Sequence, residues 1–335
     1  MIFPPLKITE HLSALIPIVQ GGMAIRVSRA PLAAAVANCG GVGVIAASGM
    51  QEDELREQIR LARTLQTNRD GLIAVNIMFA AREFNMLANV SIEEGIDLII
   101  FGAGFSRDIF GLGKEANVPI VPIVSSPKLA VMSKKLGASA IVVESGEAGG
   151  HLGTCKPITE LIPEIQAALQ ATPSHKDVEN VSVIAAGGIT SGMDIMRILK
   201  LGADGVQMAT RFVLSKECDV SDIFKEIYLK AKESDIIGIN SPVGLPARAL
   251  LTPFTQKLLN GMIEKPKRCI KCLKHCTQDF CIINALQAAR DGDWENGLFF
   301  TGANLKKYTE ILSVKEIFDR LEAQAKEYIN QLQAV

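Results

Sequence analysis

Aromatic side chains are scarce: 5% of 335 residues, with one tryptophan and three tyrosines. The apolar 48% is therefore carried mostly by alanine, isoleucine, leucine and valine. Short β-branched runs of that kind favour parallel strands buried on both faces and wrapped by helices. Net charge is nearly absent too, −1 at pH 7. That excludes the overall electrostatic footprint of a nucleic-acid binder or a polybasic membrane anchor. No uninterrupted apolar run reaches the roughly 18–20 residues of a membrane-spanning helix. The opening MIFPPLKITEHLSALIPIVQ lacks a basic region followed by an apolar core and a cleavage site, so no signal peptide is expected and the cytoplasm is the expected location. Histidine is rare, four in the chain, whereas four of the seven cysteines crowd between 269 and 281.

What is present is a rhythm. Candidate strands fall at 16–20, 42–46, 72–77, 97–101, 119–124, 140–144, 181–187 and 205–209. Between them lie helical stretches such as RAPLAAAVANCGG, EDELREQIRLARTL and MDIMRILKLGAD, with apolar residues at helical spacing and glycine stops. Eight strands alternating with helices predict an α/β fold, a (β/α)8 TIM barrel. An open doubly wound sheet competes, but it would place its glycine fingerprint after the first strand. Here the phosphate-type glycines come late, as barrels often have them. The expected division is a barrel over 1–211, a small lid subdomain over 212–300, and a C-terminal helical segment over 301–335 that packs on the barrel. The stretch GINSPVGLPARALLTP reads as a Gly/Pro-rich loop of the lid.

Four strand ends carry small residues: QGGMA (20–24), FGAGF (101–105), ESGEAGGHLG (144–153) and AAGGIT (185–190). In a barrel these ends share one face, where ligands bind. AAGGIT runs into a helix start, so its N–H groups can face an anion, and Thr210 in QMATRF offers a hydroxyl. Together they suit a phosphate monoester. Asn76, polar at a strand end, either meets a ring edge or satisfies a local loop. His151 is the one histidine that follows a barrel strand and sits among glycines. His11 precedes the first strand, His175 lies in ATPSHKD, and His275 lies in the cysteine cluster. An imidazole there suits a general acid or base. Glu144 and Glu147 are near it in sequence. The spacing C-x2-C-x3-C-x4-C of Cys269, Cys272, Cys276 and Cys281 is a metal type, for zinc or an iron–sulfur cluster. The alternative is a helical hairpin with reduced thiols. Cys39, Cys155 and Cys218 are scattered and read as core or incidental.

In order, IPIVQGGMA, the VNI strand, GAG after strand four, GEAGGHLG, AAGGI and GADGVQMATRF resemble the nitronate monooxygenase family, formerly called 2-nitropropane dioxygenases. The pattern is shared with FMN-dependent enoyl-acyl-carrier-protein reductases. The resemblance implies FMN at the C-terminal mouth of the barrel. It places Gly21, Gly22 and Met23 along the isoalloxazine ring, Asn76 at its edge and Gly149 beside it. Gly187 and Gly188, with Gln207, Met208, Ala209 and Thr210, would hold the phosphate end, and His151 matches the catalytic histidine. Glu144 would contact the flavin where many relatives carry glutamine. Ile25 stands where an aromatic residue often follows GGMA, and Leu152 replaces a common Arg or Ile. The expected activity is oxidation of nitronates or nitroalkanes with O2, His151 removing the proton next to a neutral nitro group. The alternatives are an NAD(P)H-dependent reductase of the enoyl type, which an iron–sulfur centre would serve by passing electrons, and a flavin-binding protein without turnover. Partners are then a small-molecule substrate and O2 or NAD(P)H, with no nucleic acid and no membrane; oligomerisation is left open.

Overall fold

The computed structural model describes residues 2–23, 25–173, 180–266 and 268–333. His175 lies outside them. Among the described residues, thirteen strands and twelve α-helices follow one another. Strands β1 (Leu6–Lys7) and β2 (Ser13–Ala14) form a small antiparallel pair. Then come β3 (Ile18–Gln20), α1 (Ala30–Asn38), β4 (Val42–Ala46), α2 (Glu52–Leu65), β5 (Leu72–Met78), α3 (Phe84–Glu93), β6 (Leu98–Gly102) and α4 (Asp108–Ala116). The second half of the barrel is β7 (Ile120–Val124), α5 (Pro127–Lys135), β8 (Ala140–Glu144), β9 (Gly150–His151), α6 (Ile158–Gln170), β10 (Ser182–Ala186), α7 (Gly192–Lys200) and β11 (Gly205–Met208). The chain continues through α8 (Thr210–Val213), α9 (Asp222–Lys230), β12 (Ile236–Asn240), β13 (Pro246–Leu250), α10 (Pro253–Leu259), α11 (Ile282–Asp291) and α12 (Val314–Gln333).

Strands β3 to β8, β10 and β11 close into a parallel barrel. All eight coincide with the expected runs to within two residues. Their inward side chains, among them Val19, Val44, Ala74, Ile100, Val121, Val142 and Ile184, form one buried cluster, joined by Leu6 and Ile8 from the β1–β2 pair. The lower end of the barrel is thus filled, and the open end is the one to which the strands' C-termini point. A second cluster lies between barrel and helices. Helix α2 shows why such helices form where they do. Glu52, Asp53 and Glu54 occupy its first turn, where they favour the helix dipole, and Leu55, Gln58, Ile59 and Ala62 bury one face.

Helix α7 begins in a capping box: the Asp194 N–H donates to Ser191 Oγ (3.1 Å), and Asp194 Oδ2 accepts from the Ser191 N–H (3.1 Å). The terminal helix α12 lies across α7 and α1. That crossing needs Gly192, because a Cβ there would sit 1.9 Å from the Leu321 carbonyl oxygen.

The lid differs from the expected loop. Residues 236–250 fold into a hairpin, β12 and β13, and β9 pairs with its free edge, Ala247 opposite His151 and Arg248 opposite Gly150. The turn explains the glycine and proline content. Ser241 N–H donates to Leu245 O (3.0 Å), Gly244 N–H donates to Ser241 O (2.9 Å), and Gly244 has φ +85. Pro246 stands first in its strand, where it is tolerated. Among the described residues, no helix is long and apolar enough to cross a membrane.

Candidate active site

The open end of the barrel holds a two-lobed cleft. Gly22, Asn76, Glu144, Gly149, Ala209 and Thr210 line both lobes. Gly21, Gly187, Gly188, Gln207 and Met208 complete the first lobe, and Met23 and His151 belong to the second. The structure therefore brings together His151 and all twelve residues expected at the flavin.

The first lobe is built for an anion without a cationic side chain. Gly187 (φ +98) and Gly188 (φ +78) take a left-handed turn that other residues rarely adopt. A Cβ on Gly188 would come within 2.8 Å of the Glu147 carboxyl group, which itself accepts from the Ile158 N–H (3.3 Å). No described residue accepts from the N–H groups of Gly187, Gly188 or Ile189. Buried Gln207 Oε1 has no partner either, so a bound group with N–H donors and a phosphate would satisfy groups that are otherwise costly to bury. The C-terminal segment closes this lobe. Asn304 Nδ2 donates to Gly188 O (2.8 Å), Gly302 N–H donates to Thr210 Oγ1 (3.1 Å), and the Tyr308 hydroxyl donates to Ile189 O (3.4 Å). Asn304, Gly302 and Tyr308 carry no motif and lie over 90 residues from their partners, so the sequence offered no signal for them.

In the second lobe, His151 leans edge-on against Phe300, ring centroids 5.3 Å apart. Its Nε2 lies 2.8 Å from Ser241 Oγ, which also accepts from the Val243 N–H (3.3 Å). Ser241, in the hairpin turn, is a second residue the sequence did not reveal. Burial pushes the imidazole down to about 4, so it is neutral at pH 7 and able to take up a proton. Glu144 ends β8, opposite Ala186 of β10. Its carboxyl meets no hydrogen-bond or ionic partner among the described residues, and burial pushes it up to about 8. At neutral pH it is mostly the acid, which carries a proton to donate.

Beyond His151 the second lobe runs under the lid between apolar walls: Val27, Val213, Phe224, Leu286, Leu298 and Phe300. Among the described residues, no lysine or arginine lines either lobe. Ile25, noted in the sequence for standing in an aromatic position, is one of the wall residues.

The four-cysteine metal centre expected from the spacing is not assembled. Among the described residues no group of three or more His, Cys, Asp or Glu side chains is placed to hold a metal ion, and all seven cysteines are free. Cys269 is exposed, Cys272 lines the cleft, and Cys281 precedes α11 as its N-cap. Burial, followed by the neighbouring Cys281 and Cys276, pushes Cys272 up to about 11, so without a bound metal it is a protonated thiol at neutral pH.

A parallel barrel with an anion lobe, an apolar lobe and a neutral histidine between them defines an oxidoreductase of the FMN-dependent type. The chain belongs to the nitronate monooxygenase family, whose model matches residues 7–324. It is 33% identical over 254 residues to the (3aS,4S,5R,7aS)-5-hydroxy-7a-methyl-1-oxo-octahydro-1H-indene-4-carboxyl-CoA dehydrogenase of Mycobacterium tuberculosis, covering 76% of this chain and 68% of that one. A probable nitronate monooxygenase of Staphylococcus aureus is 28% identical, with 75% of this chain and 80% of that one covered. Among solved structures, FabK from Thermotoga maritima superposes with a TM-score of 0.82 at 34% identity, over 95% of each chain. A nitroalkane oxidase from Streptomyces ansochromogenes shares the fold, with a TM-score of 0.77 at 22% identity over 95% of this chain and 98% of that one.

Proposed function

We propose that this protein is an FMN-dependent reductase of a carbon–carbon double bond conjugated to an acyl thioester, with NAD(P)H as the electron donor. The observation that carries the reading is the apolar lobe. It extends from His151 beneath the lid with no lysine or arginine among the described residues of its wall, which suits an uncharged acyl chain better than a small anion. Two relatives point the same way. FabK is an enoyl-acyl-carrier-protein reductase, and the M. tuberculosis relative is named for a carboxyl-CoA thioester.

The residues then divide the work. Bound FMN supplies hydride transfer between nicotinamide and substrate. Gly187, Gly188 and Thr210 would hold its phosphate end, while Gln207, Asn76 and the Glu144 acid would meet the ring. The apolar walls orient the acyl chain and exclude water from it. His151 Nε2 is engaged by the Ser241 hydroxyl, leaving Nδ1–H to donate to the thioester carbonyl and polarise the double bond.

A second reading, oxidation of nitronates or nitroalkanes with O2, is favoured by the family match and by a neutral His151 that can accept an α-proton. One experiment separates the two: anaerobic titration of the purified yellow protein. Bleaching by NADH or NADPH, reversed by a trans-2-enoyl thioester, is expected. Bleaching by ethyl nitronate but by neither nicotinamide would overturn the reductase reading. A protein that takes up no FMN would overturn both.

A further inference from the structure

Four of the seven cysteines, Cys269, Cys272, Cys276 and Cys281, fall in one short stretch of the lid, and the chemistry at His151 uses none of them. Two backbone turns in this stretch are unusual. The Lys271 N–H donates to Cys269 Sγ (3.4 Å), and the Gln278 N–H donates to Cys276 Sγ (3.4 Å). Each donor stands two residues after its cysteine, and each has a left-handed backbone, φ +57 and φ +60. Among the described residues only three other non-glycine positions share that region. Side chains disfavour it, and the sulfur of a neutral thiol is too weak an acceptor to compensate. A thiolate is a better one, because a hydrogen bond to an ionised acceptor is roughly twice as strong. Strain repeated at two matching turns, each aimed at a sulfur, is explained once those sulfurs carry charge, as they do on a metal.

The surroundings fit. Cys272 and Cys276 pack against the apolar core of the lid with Leu273 and Phe280, which limits water at the sulfurs. Cys269, Cys276 and Cys281 all lie near enough to Cys272 to act on its thiol electrostatically. The stretch is anchored on both sides. The Arg82 N–H donates to Cys272 O (3.0 Å), the Lys274 N–H to Ala80 O (2.9 Å), and the Thr277 N–H to Pro242 O (3.1 Å), next to Ser241. Residues 268–281 set Arg268, Lys271 and Lys274 against Asp279, a net +2. Four thiolates on an oxidised four-iron core make a dianion, which that charge balances.

The spread of the thiols separates a cluster from a single ion. Zinc held by four thiolates at about 2.3 Å draws the sulfurs to within about 4 Å of one another, and no three described side chains are placed for one ion. A four-iron cluster gives each cysteine its own iron, so its sulfurs stand wider apart. We infer that Cys269, Cys272, Cys276 and Cys281 are the ligands of a four-iron, four-sulfide cluster, set in the cleft wall to which Cys272 belongs. The inference does not depend on which substrate the cleft takes. Once bound, the cluster braces that wall against the 80–82 loop and against the hairpin turn that carries Ser241.

The test is anaerobic reconstitution of the full chain with ferrous iron and sulfide. About four irons and four acid-labile sulfides per chain are expected, with a paramagnetic signal at cryogenic temperature after dithionite reduction. The double variant C269S/C276S changes no residue that lines either lobe. It should lose nearly all of the iron and take up FMN as the wild type does. A second measurement needs no variant: in the wild type, iodoacetamide should spare the four thiols when iron is bound and alkylate them after chelation. Failure of the wild type to take up iron and sulfide, iron retained by the variant, or equal alkylation with and without iron overturns the proposal. A zinc ion on these cysteines that iron and sulfide cannot displace overturns it as well, in favour of a single-ion site.

Discussion

Replacing Glu144 with glutamine should change how stability depends on pH, and the sign can be worked out. The native carboxyl titrates at about 8 against an ordinary 4.5. Between those values the folded chain keeps a proton that the unfolded chain releases. Stability contributed by this group is therefore fully present below 4.5 and is lost as pH rises through 8. At about 1.4 kcal/mol per pH unit the whole shift sets a ceiling of about 4–5 kcal/mol. Water entering the cleft screens the group, so about 2 kcal/mol is a fairer expectation. His151 works the other way, gaining stability as pH rises from about 4 to 6.5, and the two windows overlap. The difference between wild type and Glu144→Gln removes the histidine from the comparison. The assay is urea unfolding of FMN-free protein at half-unit steps from pH 5 to 9. Relative to wild type, the variant should gain about 2 kcal/mol by pH 8 and hold a constant offset beyond about pH 9. Parallel curves for the two proteins would show that Glu144 ionises normally and is a carboxylate, not an acid, at neutral pH.

Three further outcomes are expected. His151→Ala should lower kcat about 10²–10⁴-fold with the flavin spectrum unchanged; an equal loss on neutral nitroalkanes and preformed nitronates would argue against proton removal there. Ser241→Ala frees Nε2 and should cost about tenfold in kcat, with FMN affinity intact, as measured by fluorescence titration. Gly188→Ala forces a Cβ toward the Glu147 carboxyl at φ +78, which costs about 1–2 kcal/mol and should weaken FMN binding about tenfold without moving the pH–rate profile.

The barrel was legible because each parallel strand is a short apolar run covered on both faces. VGVIA and AIVVE coincide with β4 and β8, and EDELREQIRLARTL coincides with α2. The floor and one wall of the cleft were legible too, since Gly21–Met23, Gly187–Gly188 and Gln207–Thr210 each lie within one strand-end motif. The lid was not. β12 and β13 have five residues each, and the Gly244 and Pro246 of their turn masked the pairing. His151 seemed to sit in a loop because β9 is two residues long and exists only through its partner. Ser241, Asn304 and Tyr308 reach the cleft from 90 to 119 residues away from the groups they bond, and nothing local announces such a contact. The cysteine spacing could not say whether the thiols converge, because chain intervals alone do not fix where they point; among the described residues no metal-holding group is assembled.

The two-residue strand at His151 ties the imidazole to the roof of its own chamber. Lifting the 236–250 hairpin would peel away the ring's backbone register and its serine together.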